Sequence, residues 1–193
     1  MMNARGQAIQ IAREKLALNP LYLDTETTGR ERISEIIEIS IIDDLGQVVF
    51  ESLVKPTKII PLDVMRIHGI TNEMVKDAPN WMNVWPRVRE ALAGRSVGIY
   101  NADFDLRLIR QTLEKFRMPW SPPQNFVSFC IMKLYAQYKG EWNNKRGSYR
   151  WYSLEDAGQQ CRIPLPNSHR ARDDSLLARA VLHYMAADAA FTQ

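Results

Sequence analysis

The stretch that most constrains this chain is a short apolar run that continues into acids. After Pro20, the residues Leu21, Tyr22 and Leu23 lead through Asp24, Thr25 and Glu26 and stop in Thr27-Thr28-Gly29. This is the pattern of a central strand closed by a turn. Side chains alternate along a strand, so Asp24 and Glu26 share one face and Thr25 takes the other. Two carboxylates that close repel each other unless protons or cations lie between them. An all-oxygen pair suits Mg²⁺ or Mn²⁺ rather than zinc, which prefers nitrogen and sulfur. The competing reading is a solvated strand edge, because acids are mostly exposed in folded proteins.

The flanking sequence predicts what surrounds this strand. Residues 4–18 have the spacing of an amphipathic helix, closed by Asn19-Pro20. Ile33 to Ile42 alternates Ile37, Ile39 and Ile41 with Glu38 and Ser40, Asp43-Asp44-Leu45-Gly46 makes a turn, and residues 47–54 return. No helix fits between these strands, so the first three form an antiparallel meander. Downstream, Asn80 caps a helix over 81–92, residues 96–100 read as a buried parallel strand, and a helix follows with Leu106, Leu108, Ile109 and Leu113 on its apolar side. A fifth strand over 125–129, a helix over 131–138, a capping box at Ser153 and a last helix from about Asp173 complete the order. The expectation is an α/β domain with a mixed five-stranded sheet flanked by helices.

Composition bounds the rest. The chain has 193 residues, 46% hydrophobic and 24% charged, which suits one globular domain over 1–193: a helical extension over 1–19 and a core over 20–187. A formal charge of +3 is weak grounds for a polyanionic partner. Two cysteines without a C-x-x-C argue against a zinc site or a disulfide framework. With no apolar run long enough to cross a bilayer and no signal-peptide core, no membrane association is expected and a cytoplasmic location is.

Three later segments add chemistry: Asn101-Ala102-Asp103-Phe104-Asp105, His169 and Asp174. Each alone has a bland explanation, as a helix cap or an exposed loop histidine. Together with Asp24-x-Glu26, in this order and on these elements, they resemble the DEDDh branch of the DnaQ-like 3′-to-5′ exonucleases. Asp24-Thr-Glu-Thr-Thr-Gly29, Ile36-Ile-Glu-Ile39, Val54-Lys-Pro56, His68-Gly-Ile-Thr71 and Ser153-Leu154 are also similar to segments of its proofreading members. The resemblance spans about Leu21 to Met185.

That resemblance implies an RNase H-like fold and hydrolysis of nucleic acid from its 3′ end. Asp24, Glu26, Asp105 and Asp174 become ligands for two Mg²⁺ ions, with Mn²⁺ able to substitute, and His169 becomes the general base. Thr25, Thr27, His68 and Asn101 are expected on the substrate side. Single-stranded DNA is the favoured substrate, an exoribonuclease the alternative, and a non-catalytic polymerase accessory a third reading that the complete set of acids disfavours. The residues after Met185 are expected to be too few for a polymerase tether, and a homodimer is possible. Tyr100, where the proofreading members have histidine, is a departure. His183 is expected to be structural, and Asp173 to sit at the positive end of a helix dipole. The loop over 140–151 interleaves Lys145, Arg146 and Arg150 with Trp142, Tyr149 and Trp151. It either grips single strands or anchors buried aromatic residues beneath solvated charges.

Overall fold

The structure, a computed structural model, describes residues 3–189. Helix α1 (Ala4–Ala17) precedes the meander β1 (Leu21–Thr27), β2 (Ile36–Ile42) and β3 (Val48–Leu53). Then come α2 (Leu62–His68), α3 (Asn72–Val75), α4 (Trp81–Leu92), β4 (Ser96–Ile99), α5 (Ala102–Lys115), β5 (Val127–Cys130) and α6 (Ile131–Lys139). The chain closes with β6 (Trp142–Asn143), β7 (Ser148–Tyr149), α7 (Leu154–Gln160) and α8 (Ala171–Ala187). The main sheet runs β3-β2-β1-β4-β5, so the acid-bearing strand lies at its centre. β1, β2 and β3 pair antiparallel, whereas β4 and β5 join β1 in parallel. This is the expected mixed five-stranded sheet flanked by helices.

Both faces of the sheet are covered. Tyr22, α1, α6 and α8 build one core, and Leu21, Leu23, α4 and α5 build the other. That double cover leaves the second strand no solvent-facing side. Every residue of β2 is buried, including Glu38 and Ser40, which alternate with Ile37, Ile39 and Ile41. β4 tolerates no side chain at Gly98, where a Cβ would come within 2.9 Å of the Phe129 ring.

Helix α1 is docked rather than loose. Arg5 reaches the Tyr138 hydroxyl and Asp188, and Arg13 donates to the carbonyls of Ala186 and Asp188. His183 Nε2 lies 2.7 Å from Asp44 Oδ1, an oxygen that also accepts from the Tyr22 hydroxyl, far from the acids of β1 in role and partners.

Some boundaries differ from the sequence reading. β2 begins at Ile36 rather than Ile33, because Gln111 of α5 donates to the carbonyls of Glu31 and Ser34 and holds 31–34 as a turn. The last helix starts at Ala171, ahead of Asp173. The stretch 140–151, expected to be irregular, contains the β6–β7 hairpin, whose turn is formed by Asn143 Oδ1 accepting from the amides of Lys145 and Arg146. Trp142 and Trp151 are 55% and 48% exposed, so neither is a buried anchor. The reading of the tail as lacking a tether falls partly on residues 190–193, outside the described residues. Among the described residues, no helix is long and apolar enough to cross a membrane.

Candidate active site

β1 turns Asp24 and Glu26 toward α8, whose first turn carries Asp174. Carboxylate oxygens of these three residues all lie within 4.8 Å of one another. Asp105 arrives from the opposite side of the sheet, in the first turn of α5, and is 4% exposed. Its Oδ1 accepts from Thr25 Oγ1 at 2.7 Å. The alternation of β1 thus divides the labour: Asp24 and Glu26 face α8, while Thr25 between them steers the acid on α5.

Burial and mutual repulsion shape the electrostatics. Burial, followed by the charges of Asp105, Glu26 and Asp174, holds Asp24 well above the usual carboxylate range. Glu26 is pushed up to about 9, by burial first and then by Asp174 and Glu38. Burial raises Asp105 to about 7 against the opposing hydrogen bond from Thr25. Asp174 also rises to about 7, through burial and Asp173, although backbone amides of His169 and Ser168 favour its charged form. A group of carboxylates that resists ionising together, with no nitrogen or sulfur donor among them, has the chemistry of a hard divalent-cation site.

The segment before α8 completes the surroundings. The Asn167 amide, with its NH₂ toward Asp174, donates to Oδ1 at 2.9 Å and Oδ2 at 2.8 Å. Ser168 Oγ donates to Asp173 Oδ2 at 2.6 Å, so the neighbouring acid is engaged locally. Arg170 Nε donates to both oxygens of Glu38, at 3.2 and 3.1 Å, and the Ala171 amide adds a bond at 2.9 Å. Glu38 is the cross-strand partner of Glu26. Between these anchors His169 adopts a left-handed backbone, φ 52°, and stands exposed.

His169 lines a cleft of about 440 Å³ together with Glu26, Gly29, His68 and Phe104. His68 is buried; its Nδ1 accepts from the Ile70 amide at 3.0 Å, and its Nε2 has no partner. Burial lowers its pKa and favours the neutral ring against an opposing influence of the Thr27 backbone, and because Nδ1 accepts, the proton of the neutral ring sits on Nε2. Thr25 and Thr27 also line the cleft, and Thr27 Oγ1 donates to the Gly29 carbonyl at 2.6 Å. Asn101 stands exposed at the head of α5 and is not among the cleft's lining residues. Tyr100 is buried, and its hydroxyl donates to the carbonyls of Tyr152 and Ser153. It ties the end of β4 to the start of α7 and is absent from the cleft wall.

The parts of this site that sequence reasoning missed are the Glu38–Arg170 clamp, Asn167 and Phe104. A weak signal existed for the first: a glutamate inside an otherwise apolar strand requires a buried partner.

Comparison with known proteins gives the chain as a whole a family context. Residues 21–182 match the model of an exonuclease family, RNase_T. The chain is 38% identical over 181 residues to the uncharacterized exonuclease CP81 of Escherichia phage 186, covering 92% of this chain and 93% of that protein. It is 32% identical over 153 residues to the DNA polymerase III epsilon subunit of Rickettsia felis, covering 75% of this chain and 66% of the subunit. A solved structure of exonuclease X in complex with 5′ overhanging duplex DNA superimposes with a TM-score of 0.63 at 27% identity, covering 89% and 93% of the two chains. E. coli exonuclease I in complex with a dA16 oligonucleotide shares the fold at 18% identity and a TM-score of 0.66, covering 83% of this chain and 39% of that one.

Proposed function

The chain belongs to the DnaQ-like exonuclease family and is a 3′-to-5′ exonuclease of a divalent-metal-dependent type, and we propose that it releases nucleoside monophosphates from single-stranded DNA. The observation that carries this reading is the group of Asp24, Glu26 and Asp174 oxygens beside a cleft that His169 also lines. In the proposed assignment these three acids and Asp105 hold two Mg²⁺ ions, replaceable by Mn²⁺. Bound there, the ions supply Lewis acidity toward the phosphate and lower the pKa of water.

The protein's own groups have distinct tasks. Asp24 and Glu26 supply charge from a rigid central strand, and Asp174 adds a third carboxylate whose ionised form is favoured by the amides behind it. Thr25 fixes the orientation of Asp105 through its hydroxyl. His169 accepts the proton of the attacking water, a task that suits histidine near neutral pH and an exposed position at a cleft rim. His68 Nε2 donates to the terminal nucleotide, since a buried donor without a partner calls for an acceptor in the bound state. Phe104 offers a ring face in the cleft for stacking on a base.

The preference for DNA is supported by the DNA complexes of exonuclease X and exonuclease I, which are statements about those proteins. The test is a comparison of 5′-labelled single-stranded DNA, duplex DNA and RNA of one sequence. Single-stranded DNA is expected to be shortened fastest. Faster loss of RNA would replace this substrate with the exoribonuclease reading, because discrimination would then rest on the 2′-hydroxyl.

A further inference from the structure

A second groove, also about 440 Å³, lies on the side of α5 that meets the turn 29–34. It is lined by Arg32, Arg107, Arg110, Gln111 and Glu114. Arg107 and Arg110 stand three residues apart and therefore neighbour each other on the helix surface. Gln111 pins the turn to α5 through the Glu31 and Ser34 carbonyls, which brings Arg32 alongside. All three arginines are exposed, and none takes part in an ion pair among the described residues, although Glu114 lines the same groove. Grouped like charges repel one another, and a polyanion relieves that repulsion.

Two features separate this groove from an ordinary solvated face. The guanidiniums are held: Arg107 lies 5.1 Å from the centroid of the Phe104 ring, and Arg110 lies 4.8 Å from that of Trp120. The groove also adjoins the cleft, because Phe104 and Arg30 line the cleft while Arg107 of the groove stacks on Phe104 and donates to the Arg30 carbonyl. We propose that this groove carries the phosphate backbone of the nucleic-acid strand whose 3′ end occupies the cleft. Arg32, Arg107 and Arg110 each meet a phosphate, as planar guanidiniums do. The inference rests on the exonuclease reading for the placement of that 3′ end.

The test compares the wild type with Arg32→Gln/Arg107→Gln/Arg110→Gln. Binding of a fluorescein-labelled oligothymidylate of about twelve nucleotides, long enough to leave the cleft, is followed by anisotropy in EDTA over a range of salt. Losing three phosphate contacts should flatten the plot of log K against log salt by about 2. In Mg²⁺, the ratio of kcat/KM for this oligonucleotide to that for a thymidine dinucleotide should fall roughly tenfold, because the short substrate does not reach the groove. The double variant Arg32→Gln/Arg110→Gln, which keeps the Arg107–Phe104 stack, should lose about two thirds of the salt effect and serves if the triple variant does not fold. An unchanged salt slope, or an equal loss on both substrates, overturns the groove. Normal oligonucleotide binding with the predicted slope but no hydrolysis by the wild type overturns the exonuclease reading and leaves the groove standing.

Discussion

Asp173 and Asp174 are adjacent in the chain but differ in every contact that matters. Asp174 is 6% exposed, shares the carboxylate group with Asp24 and Glu26, and receives the Asn167 amide, whereas Asp173 is half-buried and accepts from Ser168 Oγ. Asp174→Asn should therefore abolish nearly all turnover and weaken Mn²⁺ binding. Asp173→Asn should cost under about 1 kcal/mol, the scale of one local hydrogen bond or helix-end charge, with kcat little changed. Steady-state kinetics and a Mn²⁺ titration of both variants check this, and the reverse pattern would shift the site by one residue and reopen the role of His169. His169→Ala should lower kcat by about 10²- to 10⁴-fold while KM moves little, measured as release of mononucleotide. At this scale Asp24 and Glu26 were legible because a period of two is a local property. Asp105 and Asp174 were legible only through the family's order of residues, since their meeting joins distant elements. The clamp on Glu38 was not legible, because alternation in β2 says nothing about the second layer of helices that covers it.

The segment between α7 and α8 and the β6–β7 hairpin show how elements hold the site. Glu38 is 2% exposed, and its carboxylate oxygens accept from Arg170 and the Ala171 amide. Arg170→Ala should destabilise by about 1 to 3 kcal/mol, the cost of stranding a buried charged acceptor, and Glu38→Gln should recover part of it in the double variant. Denaturant unfolding of the single and double variants measures this; additive losses would mean the pair is uncoupled. The hairpin presents Trp142 edge-on to Tyr149 at 5.1 Å between centroids, with Lys145 and Arg146 at its exposed tip. If it too contacts single strands, Lys145→Ala/Arg146→Ala should raise KM and reduce its salt dependence; an unchanged slope assigns the charges to solvation alone. The hairpin escaped sequence reading because strands of two residues are too short to display a period, whereas Gly140 marked only the end of α6 and Gly147 only the hairpin's turn.

For the whole molecule, the raised carboxylates link stability to pH and to metal. Glu26 at about 9, and Asp105 and Asp174 at about 7, retain protons in the folded state that an unfolded chain releases near pH 4. Stability without metal should therefore fall as pH rises from about 4, most steeply toward 7 and further up to 9. Cations replace those protons, so Mn²⁺ should raise the Tm most at the alkaline end of this range. Thermal unfolding in EDTA and in Mn²⁺ across pH measures both, and a flat profile in EDTA would show that the acids are not mutually strained. The most direct test of the central claim is the cleavage of 5′-labelled single-stranded DNA by the chelated protein during a Mn²⁺ titration, with product lengths resolved at each step. The account predicts no products in chelator and, as metal is added, a ladder shortening one nucleotide at a time from the 3′ end. Cleavage that persists in chelator, or removal of the 5′ label as a mononucleotide, would contradict it.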